Sequence, residues 1–286
     1  MKVLVVGSGT MGSGIAQVIA QSNIEVYLND VSIDLLDKAY QRIGKNLSKL
    51  VAKGRITDSD KENILKRIIT CVDIKDAKDA NLVIEAVVEN MKVKQEIFSN
   101  LDQVMNEKAI LATNTSSLSI TEIATSVSRR DKVIGIHFFN PAPIMKLVEV
   151  IKSITTSEET LDFVLNFVKQ IGKEGVLVEE APGFVVNRLL VPMINEAVGI
   201  YAENIALATD IDKAMMLGAN HPMGPLALSD LIGNDVVLAI MDTLFNEFGD
   251  SKYRAHPLLR KMVRGNLLGR KSGEGFYQYL KNGNGG

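Results

Sequence analysis

The run Lys2-Val3-Leu4-Val5-Val6, closed by Gly7 and followed by an apolar helical stretch to Ala20, constrains the chain more than any other feature. A continuous aliphatic and β-branched run marks a strand covered on both faces, as in a parallel sheet. Gly7-Ser8-Gly9-Thr10-Met11-Gly12 lies between that strand and the helix, and Glu25-Val26-Tyr27-Leu28 reads as a second strand. A GxGxxG pattern alone is weak; between a strand and a helix it carries a mechanism. Gly7 permits the tight turn, Gly9 lets backbone approach a pyrophosphate, and Gly12 lets helix and strand pack closely. Thr10 and Met11 open the helix, whose free N–H groups and partial positive charge suit an anion. Asp30 ends the second strand, where its carboxylate accepts from both hydroxyls of an adenosine ribose and repels a 2′-phosphate. The unit predicts dinucleotide binding, with NAD(H) favoured over NADP(H). One route to the phosphorylated cofactor stays open: a loop carrying Ser32 that rotates while Asp30 turns outward.

Further buried strands are expected at Leu82 to Val87, Ala109 to Thr113, Lys132 to Phe138 and Lys146 to Ile151. Helical segments separate the first of these, giving the βαβ rhythm of a doubly wound sheet. Val176-Leu177-Val178 is the last clear strand run. Beyond Pro182-Gly183 come long helical periods, Phe184 to Ala206 and Pro225 to Phe248. The expected fold class is α/β, a Rossmann-type doubly wound sheet over residues 1–182 followed by an all-helical domain over 183–286. The final Asn282-Gly283-Asn284-Gly285-Gly286 predicts disorder.

A formal net charge of -2 argues against a general nucleic-acid binder. No uninterrupted apolar run approaches the ~20 residues of a bilayer span. A strand entered at Lys2 leaves no room for a signal peptide, and Cys71, the single cysteine, allows no intrachain disulfide. A cytoplasmic protein is expected, with Cys71 a small buried hydrophobe in the run Ile68 to Val72. No metal is expected.

Catalytic chemistry is suggested by Ile134-Gly135-Ile136-His137-Phe138-Phe139-Asn140, which leads through Pro141 and Pro143 into Met145-Lys146-Leu147-Val148-Glu149-Val150. So short a connection cannot cross over, so the two strands must run antiparallel. A turn centred on Pro143 sets His137 opposite Glu149, on the same face and within reach. An acid beside a histidine fixes its tautomer and stabilises the imidazolium, as a general base for an alcohol requires. A satisfied core histidine is the bland alternative, and the opposed acid weighs against it. Asn114-Thr115-Ser116-Ser117-Leu118-Ser119 follows a strand C-terminus, where hydroxyls line the ligand crevice of open sheets; Ser117 or Ser119 also fits a helix cap. Asn187 stands in the first turns of a helix after Pro182-Gly183, placed either to bind a substrate carbonyl or to tie two domains together. On the second long helix, Lys38, Arg42, Lys45, Lys49 and Lys53 share one face. Spacing alone fits a solvated lysine face or an anionic ligand.

Taken together, these pieces resemble the 3-hydroxyacyl-CoA dehydrogenase family, its short bacterial 3-hydroxybutyryl-CoA members above all. The motifs that carry the resemblance are Glu85-Ala86-Val87-Val88-Glu89-Asn90, Asn114-Thr115-Ser116-Ser117, His137-Phe138-Phe139-Asn140-Pro141, Pro182-Gly183-Phe184-Val185-Val186-Asn187-Arg188 and the closing Gly273-Glu274-Gly275-Phe276-Tyr277. The resemblance implies His137 as catalytic base, Glu149 as its partner, Ser116 as a holder of the substrate oxygen and Asn187 as the residue completing the site. It implies that Glu89, Lys94, Ser116, Asn140 and Lys271 meet the nicotinamide half of NAD(H). It also implies that Asn46 and Lys53, with Lys49 one turn away, meet coenzyme A, which gives the cationic face a ligand. An acyl-CoA substrate and a homodimer or higher homo-oligomer, joined through the helical domain, follow from the same resemblance. Two rivals are a dehydrogenase of a free acid, indifferent to the 3′-phosphate of coenzyme A, and a non-catalytic NAD-binding protein on the same scaffold.

Overall fold

The structure, a computed structural model, describes residues 1–279, so the tail expected to be disordered lies outside the described residues. The opening run forms β1 (Lys2–Val6), which leads through the glycine turn into α1 (Thr10–Gln21) and β2 (Glu25–Asn29). Next come α2 (Ile33–Ala52), capped by the Ser32 hydroxyl, and α3 (Asp58–Lys66), closed by a reciprocal Thr57–Asp60 capping box. After β3 (Ile68–Cys71) and β4 (Leu82–Glu85), α4 (Met91–Val104) crosses to β5 (Ile110–Thr113). The short α5 (Ile120–Ala124) precedes β6 (Val133–Phe138), β7 (Leu147–Lys152), α6 (Glu158–Gln170) and β8 (Glu174–Glu179).

Among the described residues these strands form one eight-stranded sheet in the order β3–β2–β1–β4–β5–β6–β7–β8. All neighbours run parallel except β6 and β7. Strand order reverses between β1 and β4, so the carboxyl ends of these two strands flank the crevice where open α/β sheets bind ligands. Val3, Val5, Ile15, Ile19, Ile84, Ile136 and Phe167 are among the buried side chains that join sheet and helices into one core. β3 carries neither signal by which a strand is recognised. Ile68 and Cys71 are buried while Ile69 and Thr70 between them are exposed, which is neither alternation nor a buried run. Burial pushes the Cys71 thiol up to about 11, consistent with an inert side chain.

The chain divides into two compact units between Ala181 and Pro182. The second unit is helical: α7 (Val186–Ala202), α8 (Ala208–Gly218), α9 (Pro225–Ile232), α10 (Asn234–Phe248) and α11 (Pro257–Arg264). Its core joins Val191, Ile194 and Val198 of α7 to Leu226, Met241, Leu244 and Leu259. The stretch Pro225 to Phe248, expected as one helical period, is broken at Gly233, whose φ of 106° only glycine adopts readily. Asp230, fully buried in α9, accepts from the N–H groups of Phe276 and Tyr277 at 3.0 and 2.9 Å, fastening the Gly273–Tyr277 segment to the helices.

Candidate active site

At the end of β1 the three glycines have three separate reasons. Gly7 holds φ at 97°, and a Cβ there would lie 2.7 Å from the Ala86 carbonyl oxygen. A Cβ on Gly12 would stand 1.8 Å from the Gly7 carbonyl oxygen, so helix and turn touch only because Gly12 lacks a side chain. A Cβ on Gly9 would meet nothing within 4 Å. The protein has no packing reason for a glycine there; a phosphate brought close to the backbone supplies one. No side chain caps the first turn of α1, which leaves the N–H groups near Thr10 and Met11 for such an anion.

Asp30 is fixed beside this turn. Its Oδ2 accepts from the Ser8 N–H and hydroxyl at 2.7 and 2.6 Å, and its Oδ1 from the Val31 N–H at 2.8 Å. The Ser32 hydroxyl is engaged elsewhere, accepting from Leu35 N–H as the cap of α2. A cavity of roughly 490 Å³ opens here between Gly7, Asp30, Val31, Val87 and Leu101. Its largely apolar walls, with the Asp30 carboxylate beside the turn, suit an adenosine.

Across the switch point the site is made of charged side chains. Glu85, the last residue of β4, is fully buried, and its two oxygens accept from the Lys94 ammonium at 2.7 and 2.9 Å. The Val87 N–H and the Thr113 hydroxyl, each at 2.7 Å, complete its donors. Lys94, itself fully buried, also faces Glu89 at 3.3 Å. Glu89 in turn accepts from the Thr115 hydroxyl at 2.7 Å, the Ser116 N–H at 2.8 Å and the Ser116 hydroxyl at 3.2 Å. Burial pushes the Glu89 carboxyl up, but the Lys94 ammonium and these donors outweigh it and hold it below the ordinary glutamate value. The ion pairs thus link β4 and α4 to the turn that presents Ser116.

On the next strands, β6 and β7 pair antiparallel with His137 directly opposite Glu149. Both are buried, and the imidazole Nδ1 lies 2.9 Å from Glu149 Oε2. In the tautomer that donates from Nδ1 to the carboxylate, Nε2 is the accepting ring nitrogen. Phe139 packs against the ring, centroids 4.5 Å apart. The Asn114 side chain accepts from Phe138 N–H at 2.9 Å, binding the end of β6 to the end of β5. Asn140 is exposed just beyond β6. Ser119 caps α5, and its hydroxyl also donates to Glu180 at 2.5 Å; Glu180 accepts as well from the Thr121 N–H at 3.0 Å and from the Thr121 hydroxyl.

The cationic residues Lys38, Arg42, Lys45, Lys49 and Lys53 are all exposed along α2 and its C-cap, opposite the buried Leu36, Ala39, Ile43 and Leu47. Arg42 donates to the Ser13 hydroxyl at 3.0 Å, and the Asn46 amide donates to Gln17 at 3.3 Å. In the second unit, Asn187 lies in the first turn of α7, and Lys271 pairs with Asp235 beside Gly233. The sequence pattern singles out neither Glu85 nor the Asn114 side chain. A carboxylate inside the apolar run Leu82 to Val87 was the available signal for the first of them.

Glycine turn, acid and switch point define a dinucleotide-binding α/β protein. Residues 2–181 match the model of the 3-hydroxyacyl-CoA dehydrogenase NAD-binding domain, and residues 183–279 that of the 3-hydroxyacyl-CoA dehydrogenase C-terminal domain. The chain belongs to the 3-hydroxyacyl-CoA dehydrogenase family, as its motifs led one to expect. A Clostridioides difficile protein named 3-hydroxybutyryl-CoA dehydrogenase is 58% identical over 281 residues, which cover 98% of this chain and 100% of that one. The mitochondrial hydroxyacyl-coenzyme A dehydrogenase of Sus scrofa is 44% identical, covering 97% of this chain and 90% of its own. Among solved structures, the (S)-3-hydroxybutyryl-CoA dehydrogenase of Ralstonia eutropha superposes with a TM-score of 0.95 at 46% identity, covering 98% of this chain and 99% of that one.

Proposed function

We propose that the chain interconverts (3S)-3-hydroxybutyryl-CoA and acetoacetyl-CoA with NAD(H), using His137 as general acid and base. The buried His137–Glu149 pair, at the carboxyl-end edge of the sheet, carries this reading. Nicotinamide, when bound, takes or gives the hydride at C3 of the substrate. Nε2 of His137 removes the hydroxyl proton in one direction and returns it in the other. Glu149 keeps the ring in the required tautomer and offsets the charge of the imidazolium. Ser116, oriented by Glu89, holds the substrate oxygen with His137. The names of the relatives support the four-carbon acyl group and the S configuration.

For the cofactor, the Gly7–Gly12 turn takes the pyrophosphate, Asp30 the adenosine ribose, and Glu89, Lys94, Ser116 and Asn140 the nicotinamide half. NAD(H) is favoured over NADP(H) because Ser8 and the Val31 N–H already fix Asp30, and Ser32 is committed to its helix. A 2′-phosphate would meet that carboxylate at short range. Asn46, Lys49 and Lys53 receive the nucleotide part of coenzyme A, the two exposed lysines answering its phosphates. Self-association through the second unit is supported by the exposed Leu189, Ile205, Leu207 and Leu217. A cytoplasmic setting fits an inert buried Cys71. Oxidation of NADH by acetoacetyl-CoA, followed at its absorbance beside a parallel NADPH titration, tests the whole. Turnover with NADH, and a higher kcat/KM than with NADPH, is expected. Absence of turnover in a folded protein would overturn the reading, and an NADPH preference would overturn the part given to Asp30.

A further inference from the structure

Lys173 stands outside every role assigned above. It immediately precedes β8, only 9% of it is exposed, and its ammonium donates to the carbonyl oxygens of Ala142 and Met145 at 2.7 Å each. No carboxylate among the described residues forms an ion pair with it, and burial pushes its pKa down. A buried ammonium facing only neutral acceptors is a costly choice where an apolar side chain would fill the same space.

Both acceptors belong to one short loop, the one that joins β6 to β7. Those strands carry His137 and Glu149, and Asn140 opens the loop. Within it, the N–H groups of Ile144 and Met145 fold back on the Pro141 carbonyl at 2.9 and 3.0 Å. Elsewhere the loop rests on α1: a Cβ added to Gly14 would lie 3.3 Å from both Ala142 Cβ and Pro143 Cδ. α1 begins at the glycine turn. The loop is therefore wedged against the helix of the nucleotide turn and pinned from β8 by the ammonium.

We propose that Lys173 is a positioning residue, whose two hydrogen bonds hold the β6–β7 loop and so keep His137 and Asn140 in register with the glycine turn. The proposal rests on His137 as the acid and base. Backbone bonding alone already ties the loop's far end to β8, since the Glu174 N–H donates to the Lys146 carbonyl at 2.9 Å. What Lys173 adds is control of the loop's middle, where the backbone of β8 does not reach.

The test compares Lys173→Met, Lys173→Arg and Lys173→Ala with wild type, using acetoacetyl-CoA and NADH. Lys173→Met is expected to lower kcat roughly tenfold to a hundredfold, the penalty of a slightly misplaced reacting group. KM for acetoacetyl-CoA should stay within about twofold, since α2 and its cations are untouched. Lys173→Arg keeps donors and should recover part of kcat. Propylammonium, which replaces the atoms that alanine lacks, should raise kcat of Lys173→Ala in a saturable way, while 1-butanol should not. A folded Lys173→Met with wild-type kcat and a lowered Tm would reduce Lys173 to a stability residue and overturn the proposal. So would Lys173→Arg no better than methionine together with no response to propylammonium. If the methionine variant does not fold, arginine and the amine titration decide by the same criteria. Lack of wild-type turnover sinks the reading of the site, whereas wild-type turnover with indifferent variants sinks the positioning role alone.

Discussion

Over β1 and β2 the crevice is built from backbone, with Gly7 and Gly12 unable to bear a Cβ and one acid held by a neighbouring serine. Over β4 to β7 it is built from polar side chains buried in pairs, Lys94 with Glu85 and His137 with Glu149. The first construction depends on shape within some two dozen consecutive residues, and an added methyl group is enough to spoil it. The second depends on charge balance between residues far apart in the chain. It survives changes of shape better than the loss of a single partner, because an unpaired buried charge is strongly destabilising.

The sharpest way to test the contrast is His137→Gln. It should lower kcat by roughly 10²- to 10⁴-fold, as loss of a general base does, while Kd for NADH stays near wild type because the glycine turn is intact. A fall of less than about tenfold in a correctly folded variant would take the chemistry away from the side-chain half. Next in size is Lys94→Met, which leaves Glu85 buried without its cation. Stability should drop by about 3–5 kcal/mol, a Tm shift on the order of 10 °C by calorimetry. Adding Glu85→Gln to that variant should return part of the loss. A single variant as stable as wild type would mean that this pair is not what holds β4 to α4. The smallest effect belongs to Lys53→Ala, since a lone exposed cation contributes little. KM for acetoacetyl-CoA should rise roughly two- to fivefold with kcat unchanged. The rise should vanish for a truncated thioester lacking the nucleotide; equal shifts with both substrates would return the α2 face to a merely solvated one.

The same contrast explains what the sequence discloses. The nucleotide turn is readable because its residues are consecutive and their spacing follows from backbone geometry. The His137–Glu149 register is readable for a similar reason: a short connection forces an antiparallel pair, and a paired register then follows from the position of the turn. Glu85 is not readable in this way. Its partners Lys94 and Thr113 are set beside it only when α4 and β5 dock, and a lone acid in a strand says nothing about which cation it meets. Asn114 binding Phe138 N–H and Lys173 reaching back to Ala142 are hidden by the same distance along the chain. β3 escapes because an edge strand with two exposed central residues has no periodic signal, and the break at Gly233 escapes because apolar periodicity continues across it.

Glu180 has a practical consequence for cutting the chain. It lies past the end of β8, yet it receives three hydrogen bonds from Ser119 and Thr121 at the start of α5. A fragment ending at Ala181 keeps that acceptor; one ending at Glu179 retains every strand of the sheet and loses it. Two residues at the new terminus would then decide whether α5, and the serine turn leading into it, is anchored at a point some sixty positions upstream.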